Sequence, residues 1–207
     1  PPIFYKIKAD KEKYARLNDW IYSHLEKFID PIGHGFKERF KKYFAEEDFN
    51  INRRILGAAH IYASRWEFSL IEKLNNGGWD IENIGRTLDN QLESFADLDG
   101  MKALNKDPRL IKFLDICGSL RFQVRWANMY KIPRTSVLGH MFFVAVLSYL
   151  FSLELGACPK RAENNFFTGL FHDLPEVLTR DIISPVKRSV EGLQEIIKGF
   201  EKELMDQ

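Results

Sequence analysis

The chain has 207 residues, enough for one domain or somewhat more with a buried hydrophobic core. Hydrophobic residues make up 45% of the sequence and charged residues 29%, which is ordinary for a soluble globular protein. Because 30 basic residues are balanced by 29 acidic ones, the net charge of +1 gives no electrostatic reason to expect nucleic acid or an anionic membrane as partner.

No segment of the sequence indicates export or membrane insertion. The longest apolar run, Met141 to Ser152, is too short to span a bilayer, and we find no signal peptide. The two cysteines, Cys117 and Cys158, predict no disulfide framework, and we expect both to be semi-buried core thiols. These features together predict a cytoplasmic protein.

Apolar residues recur at helical spacing along nearly the whole chain, and the alternating β-branched runs typical of strands are absent. Prolines and glycines separate the helical segments. The predicted helices cover residues 11–29, 36–44, 53–74, 81–95, 108–129, 137–155, a segment ending at 172–173, and 187–205. The sequence therefore predicts an all-α fold.

Polar residues at four predicted helix starts fit the role of N-cap. Asn52 and Asp80 precede apolar helical patterns, Asp107 stands before Pro108, and Ser136 opens the helix at 137. The polar segment 97–107 is the best candidate for a domain boundary in the chain. We find no internal repeat and no low-complexity linker.

Two of the predicted helices carry metal-ligand types in apolar surroundings. His140 lies in the apolar helix 137–155, and the adjacent pair His172-Asp173 ends another apolar segment just before Pro175. Adjacent helical side chains point about 100° apart, so both can reach one ion only where the helix ends. An inward-pointing Asp173 would be a buried charge unless a cation met it.

A lone His140 would more simply be a core imidazole bonded to a carbonyl group. The His172-Asp173 pair favours the alternative, a metal site built by all three residues. A mixed nitrogen and oxygen ligand set suits one divalent ion, Mn, Co, Fe, Ni, Zn or Mg, without choosing among them.

The sequence motifs around these residues resemble those of a known family. Residues 134–140 are RTSVLGH, and residues 172–187 are HDLPEVLTRDIISPVK. Both are similar to motifs of the HD-domain metal-dependent phosphohydrolases, and the second resembles the branch that contains the bacterial deoxyribonucleoside 5′-monophosphatases. Arg125-Trp126 lies upstream of His140, where that branch carries an Arg-Trp pair. The resemblance covers about residues 122–187, and residues 1–115 resemble no family that we recognise.

The resemblance implies that His140, His172 and Asp173 bind the metal ion. It also implies that Glu176 orients or deprotonates the attacking water, or protonates the leaving group. The alternative for Glu176 is a cap on a short helix after Pro175.

For the substrate, the resemblance implies three contacts. Arg125 would hold the phosphate, for which a guanidinium fork is suited, Trp126 would lie against the sugar, and Asp181 would hydrogen-bond a sugar hydroxyl. Taken singly, Arg125 could be a surface residue, Trp126 a core aromatic, and Asp181 a turn cap. Their joint spacing favours the functional interpretation.

The sequence departs from the family pattern at three places. Leu138-Gly139 stands where an acidic neighbour of the histidine is common, and Arg180 stands where glycine is usual. The family's fourth metal ligand is an Asp on a later helix, and Asp206 is too near to serve. We therefore expect either an HD core that is incomplete at its C-terminus or a site with three protein ligands.

The sequence as a whole predicts an HD-domain helical bundle, residues 116–207, preceded by an N-terminal helical extension, residues 1–115. We expect a metal-dependent phosphohydrolase acting on a small-molecule phosphate ester, most plausibly a (deoxy)nucleoside 5′-monophosphate. Two alternatives stay open: a phosphodiesterase or nucleoside-triphosphate hydrolase on the same scaffold, and a non-catalytic nucleotide-binding module. We expect neither nucleic acid nor a membrane as partner, and a homodimer is left open.

Overall fold

The computed structural model describes residues 7, 10–45, 50–75, 78, 80–125, 130, 132–175, 177 and 189–205. Within these residues the secondary structure is helical, apart from one isolated antiparallel β-bridge between Val124 and Ser136. The predicted all-α fold class is therefore confirmed.

The α-helices of the described residues are numbered here in chain order. They are α1 (Lys11–Ile29), α2 (Phe36–Ala45), α3 (Ile51–Glu72), α4 (Ile81–Glu93), α5 (Asp99–Lys106), α6 (Pro108–Ser119), α7 (Val137–Glu154), α8 (Pro159–Phe171) and α9 (Leu193–Met205). Two short 3-10 turns, Asp30–Ile32 and Leu120–Phe122, follow α1 and α6.

The chain divides into two compact units. The first unit comprises Pro1–Lys41 and Lys112–Gln207, and the second comprises Lys42–Ile111. Residues 1–41, which the sequence analysis placed in the extension, cluster with the C-terminal region in this division. The predicted boundary at residue 115 stays a prediction.

The second unit is built on the packing of α3 against α4. Arg65 of α3 donates from its Nε to Asp89 of α4 at 2.7 Å and from its Nη1 to Glu72 at 3.1 Å. Hydrogen bonding to Asp89 is the main cause that raises the pKa of Arg65. Arg54 of α3 likewise donates hydrogen bonds from both terminal nitrogens to the carboxylate of Asp97.

Helix starts follow the expected capping chemistry at some positions and depart from it at others. Ser136 caps α7 as predicted, since its Oγ accepts a hydrogen bond from the Gly139 N–H at 3.0 Å. The prediction of Asn52 as the cap of α3 is wrong, because Asn50 accepts from the Asn52 N–H. Asp80 makes no side-chain capping bond, because its left-handed backbone (φ 63°) differs from the extended conformation of an N-cap.

Three helical segments also differ from the prediction. The helix predicted over 108–129 ends at Ser119, where the chain leaves through a 3-10 turn and pairs with the segment before α7. The polar segment 97–107 contains helix α5, whose apolar residues Met101 and Leu104 are half-buried at helical spacing. Helix α9 begins only after Gly192, which has a φ of 80°.

The core of the first unit lies where the start of α7 meets the end of α6 and the turn after α8. Helix α7 also packs along α8, and Asn165 of α8 donates to the buried hydroxyl of Ser152 on α7 at 2.9 Å. The largest fully buried side chains are Leu120, Val137, Met141 and Leu174. This packing places His140 and His172 at one end of the α7–α8 pair.

By length and composition alone, α7 is apolar enough to cross a membrane. The prediction that no segment spans a bilayer considered only the apolar run 141–152. The helix that contains this run is longer and has 18 residues. In the structure its buried residues are Val137, Met141, Ala145 and Ser152. One face of α7 thus belongs to the core of the first unit.

Candidate metal centre

A short backbone pairing fixes the start of α7. The Arg125 N–H donates to the carbonyl of Thr135 at 2.9 Å, and the Val137 N–H donates to the carbonyl of Gln123 at 2.8 Å. Segment 123–125 is thereby attached to the residues that open α7. His140 follows within the first turn of that helix, with its side chain 24% exposed.

His172 and Asp173 lie at the point where α8 ends. His172 is the C-cap residue of α8, and Asp173 follows it in a turn with its side chain only 12% exposed. The predicted termination of this helix near Pro175 is confirmed. Because the helix stops here, the two neighbouring side chains turn toward the same point, as their sequence positions required.

A hydrogen bond orients the His172 ring. Its Nδ1 lies 2.8 Å from the carbonyl oxygen of Gly169, and because a carbonyl only accepts, Nδ1 carries the proton. The other ring nitrogen, Nε2, lies 3.1 Å from Oδ2 of Asp173. Two lone pairs at this distance repel unless a proton or a metal ion lies between them, so the pair is suited to share a cation.

The three predicted ligands come together in one cluster. The Nε2 atom of His140 lies 3.5 Å from Oδ2 of Asp173, and the two imidazole rings have their centroids 5.3 Å apart. One ligand atom from each of the three residues can be chosen so that all lie within 4.8 Å of one another. Ligands about 2.1 Å from a common ion are about 3 to 4 Å apart, so only small side-chain adjustments are required.

This donor set fits a divalent metal ion. Two imidazole nitrogens with an oriented ring and one nearly buried carboxylate match the ligand preferences of such ions. The residues would serve Mn, Co, Fe, Ni, Zn or Mg, and the geometry does not select one of them.

Arg125 also lies in the cluster, where it contacts Asp173. Its Nη1 donates to Oδ2 of Asp173 at 2.7 Å, and the two side chains are 20% and 12% exposed. The family resemblance implied that this guanidinium holds the substrate phosphate. The structure places it beside the metal-ligand candidates, within reach of a group that would bind there.

Gln123, which was not predicted as a site residue, joins the turn after Asp173 to the segment before α7. Its Nε2 donates to the carbonyl of Val177 at 2.8 Å, and its Oε1 is buried without a hydrogen-bond partner among the described residues. No sequence signal indicated this role, because residues 108–129 were predicted as one helix.

Glu176, Trp126, Asp181 and Arg180 lie outside the described residues. Their proposed contacts with water, sugar or substrate stay predictions.

Comparison with known protein families gives one match. Residues 117–207, somewhat less than half of the chain, match the model of the HD domain. No curated protein and no solved structure matches the chain. The matched region contains Arg125 and the whole cluster of His140, His172 and Asp173.

Proposed function

We propose that the chain is a metal-dependent phosphohydrolase that releases phosphate from (deoxy)nucleoside 5′-monophosphates, since residues 117–207 match the model of the HD domain. The HD domain indicates the general class, metal-dependent phosphohydrolases. The substrate rests on the similarity of residues 172–187 to the nucleotidase branch of that family. The observation that carries the proposal is the cluster of two imidazoles and one carboxylate beside a guanidinium.

His140, His172 and Asp173 would hold the ion. When bound, a divalent ion lowers the pKa of a coordinated water and polarises a phosphoryl oxygen. The protein contributes the orientation of the ligands: the carbonyl of Gly169 fixes the His172 ring, and the capped start of α7 places His140.

Arg125 supports phosphate chemistry in particular. A guanidinium offers two parallel N–H donors to phosphate oxygens, and this one is anchored by its backbone beside α7. Its positive charge would offset negative charge that develops on the transferring phosphoryl group. Glu176 is proposed to move a proton to or from the attacking water or the leaving group.

The proposal is tested by measuring metal content and phosphate release together. Purified protein would be reconstituted with Mn²⁺, Co²⁺, Zn²⁺ and Mg²⁺ in turn. It would then be assayed against ribo- and deoxynucleoside monophosphates, nucleoside triphosphates and a simple phosphodiester. We expect one bound ion per chain and the highest kcat/KM with a nucleoside 5′-monophosphate.

A matched pair of variants separates the site from the rest of the chain. His172→Ala should lose both the metal and the activity, whereas His60→Ala, a change of the same kind on exposed surface of α3, should lose neither. Preference for the diester or the triphosphates would support the alternative hydrolases. Nucleotide binding without turnover under any metal would support the non-catalytic module.

A further inference from the structure

We propose that Arg125 and the divalent ion compete for Oδ2 of Asp173, so that Arg125 couples metal binding to phosphate binding. This inference rests on the proposed function, because it takes Asp173 as a metal ligand. The inference goes beyond the proposed function because it assigns Arg125 a second partner besides the phosphate.

One carboxylate oxygen is the common point of the cluster. Oδ2 of Asp173 accepts from Nη1 of Arg125 at 2.7 Å, and the same atom is the one nearest to His172 Nε2 and His140 Nε2, at 3.1 and 3.5 Å. An ion placed between the two imidazoles would therefore bind this oxygen. The ion and the guanidinium would thus interact with the same oxygen atom.

The backbone of Arg125 is held by hydrogen bonds at the start of α7. The Arg125 N–H is bonded to Thr135, and the next paired residue, Gln123, is bonded through its carbonyl to Val137. These bonds keep the Cα of Arg125 beside the start of α7. An exchange of acceptors by the long side chain would then need only rotation about its own bonds and no change of fold.

Charge determines which acceptor the guanidinium takes. A divalent cation on Asp173 withdraws electron density from its oxygens and repels the neighbouring guanidinium. A phosphate group bound at the ion offers new anionic acceptors, for which the arginine fork is suited. We infer that the ion weakens the contact of Arg125 with Asp173 and that the phosphate replaces it.

Competition and exchange of partners have a thermodynamic consequence. If Arg125 opposes the ion on Asp173 but binds the phosphate, the phosphate removes the opposition, and the two ligands bind cooperatively. Such coupling is reciprocal, since the phosphate strengthens metal binding by the factor by which the metal strengthens phosphate binding. Without the guanidinium, this part of the coupling disappears.

Metal affinity measured without any substrate tests the competition. Mn²⁺ would be titrated by calorimetry into wild type, Arg125→Gln and the control Arg121→Gln. The control removes the same charge from an exposed residue in the turn Leu120–Phe122. We expect Arg125→Gln to bind Mn²⁺ about tenfold more tightly than wild type, within the usual range of coupling between sites. Arg121→Gln should bind like wild type.

A second series tests the exchange of partners with sulfate, a tetrahedral dianion that does not precipitate Mn²⁺. Sulfate should tighten Mn²⁺ binding more in wild type than in Arg125→Gln. Arg125→Lys keeps the charge but loses the planar fork, so the gain in Mn²⁺ affinity on adding sulfate should lie between those of wild type and Arg125→Gln. The lysine variant replaces Arg125→Gln in this test if the latter does not fold.

The outcomes separate this inference from the proposed function. Equal or weaker Mn²⁺ binding by Arg125→Gln would overturn the competition while leaving the metal site intact. An equal gain in Arg121→Gln would also overturn it, because general electrostatics would then explain the effect. No Mn²⁺ binding in wild type would overturn both the proposed function and this inference.

Discussion

Gly169 of α8 lies directly against the backbone of Ala145 on α7. A β-carbon added at residue 169 would be 2.9 Å from the Cα of Ala145 and 3.0 Å from its nitrogen, closer than real contacts allow. Ala145 itself is fully buried. This close approach of the two helices lies about one helical turn from His140 along α7 and from His172 along α8, so it helps to set the separation of the two imidazoles.

Gly169→Ala should push α7 and α8 apart. We expect a loss of about 1 to 3 kcal/mol in the free energy of unfolding, the usual cost of overpacking, together with weaker Mn²⁺ binding. Denaturant unfolding and calorimetry measure the two effects. Gly199→Ala on α9 is the control, since an added methyl group meets nothing there and should be neutral or stabilising. Unchanged stability and metal affinity in Gly169→Ala would contradict this packing.

Glu176→Ala should retain the metal and lose most of the phosphatase activity. The proposed role of Glu176 is proton transfer, which typically contributes about 10²- to 10⁴-fold to the rate. Metal content and kcat are measured on the same preparation. Glu163→Ala, which removes an exposed carboxylate paired with Lys160, is the control and should keep full activity. Normal turnover in Glu176→Ala would remove this residue from the mechanism.

A 2′-deoxynucleotide should be preferred to its ribonucleotide. We predict that the Trp126 indole lies against the sugar and leaves little room for an added hydroxyl. Discrimination by an apolar wall alone is modest, on the order of 10²-fold in kcat/KM. Trp126→Ala should reduce the preference, whereas Trp20→Ala on the exposed surface of α1 should not. Equal rates on both sugars in wild type would count against this role.

Arg180 bears on the same preference. It stands where glycine is usual in the resembling family, and it could donate a hydrogen bond to the ribose hydroxyl. We therefore expect Arg180→Gly to increase the preference for the deoxy sugar in the same paired assay. A smaller preference in that variant would show that Arg180 does not favour the ribose.

The two cysteines should react at very different rates with a thiol reagent such as Ellman's reagent. Neither forms a disulfide, but Cys117 is half-buried against the core, whereas Cys158 is exposed just before α8. Burial also raises the pKa of the Cys117 thiol, which lowers its thiolate fraction at neutral pH. The expectation of two semi-buried thiols is thus correct for Cys117 and wrong for Cys158.

One thiol should therefore be labelled at once in the native protein and the second only on unfolding. Cys158→Ser should remove the fast phase, and Cys117→Ser should leave it. Two fast thiols in native protein would contradict the burial of Cys117.

Local sequence was sufficient for the helices that carry the candidate ligands. The apolar period of α7 and its Ser136 cap predicted the start of that helix, and Pro175 predicted the end of α8. Both signals act within a few residues, through capping and the geometry of proline, so they can be recognised without knowledge of the fold. The same signals indicated that His172 and Asp173 stand at a helix end, where both can face one ion.

Tertiary structure alone decided what surrounds those ligands. The apolar pattern of α6 continues past Ser119, yet residues 123–125 leave the helix because their backbone pairs with residues 135–137. That pairing is not local, and a periodic pattern cannot reveal it. It places Arg125 on Asp173 and Gln123 on the carbonyl of Val177. The residue types for a metal site can therefore be recognised in the sequence, whereas the distances among these residues depend on how closely two helices pack.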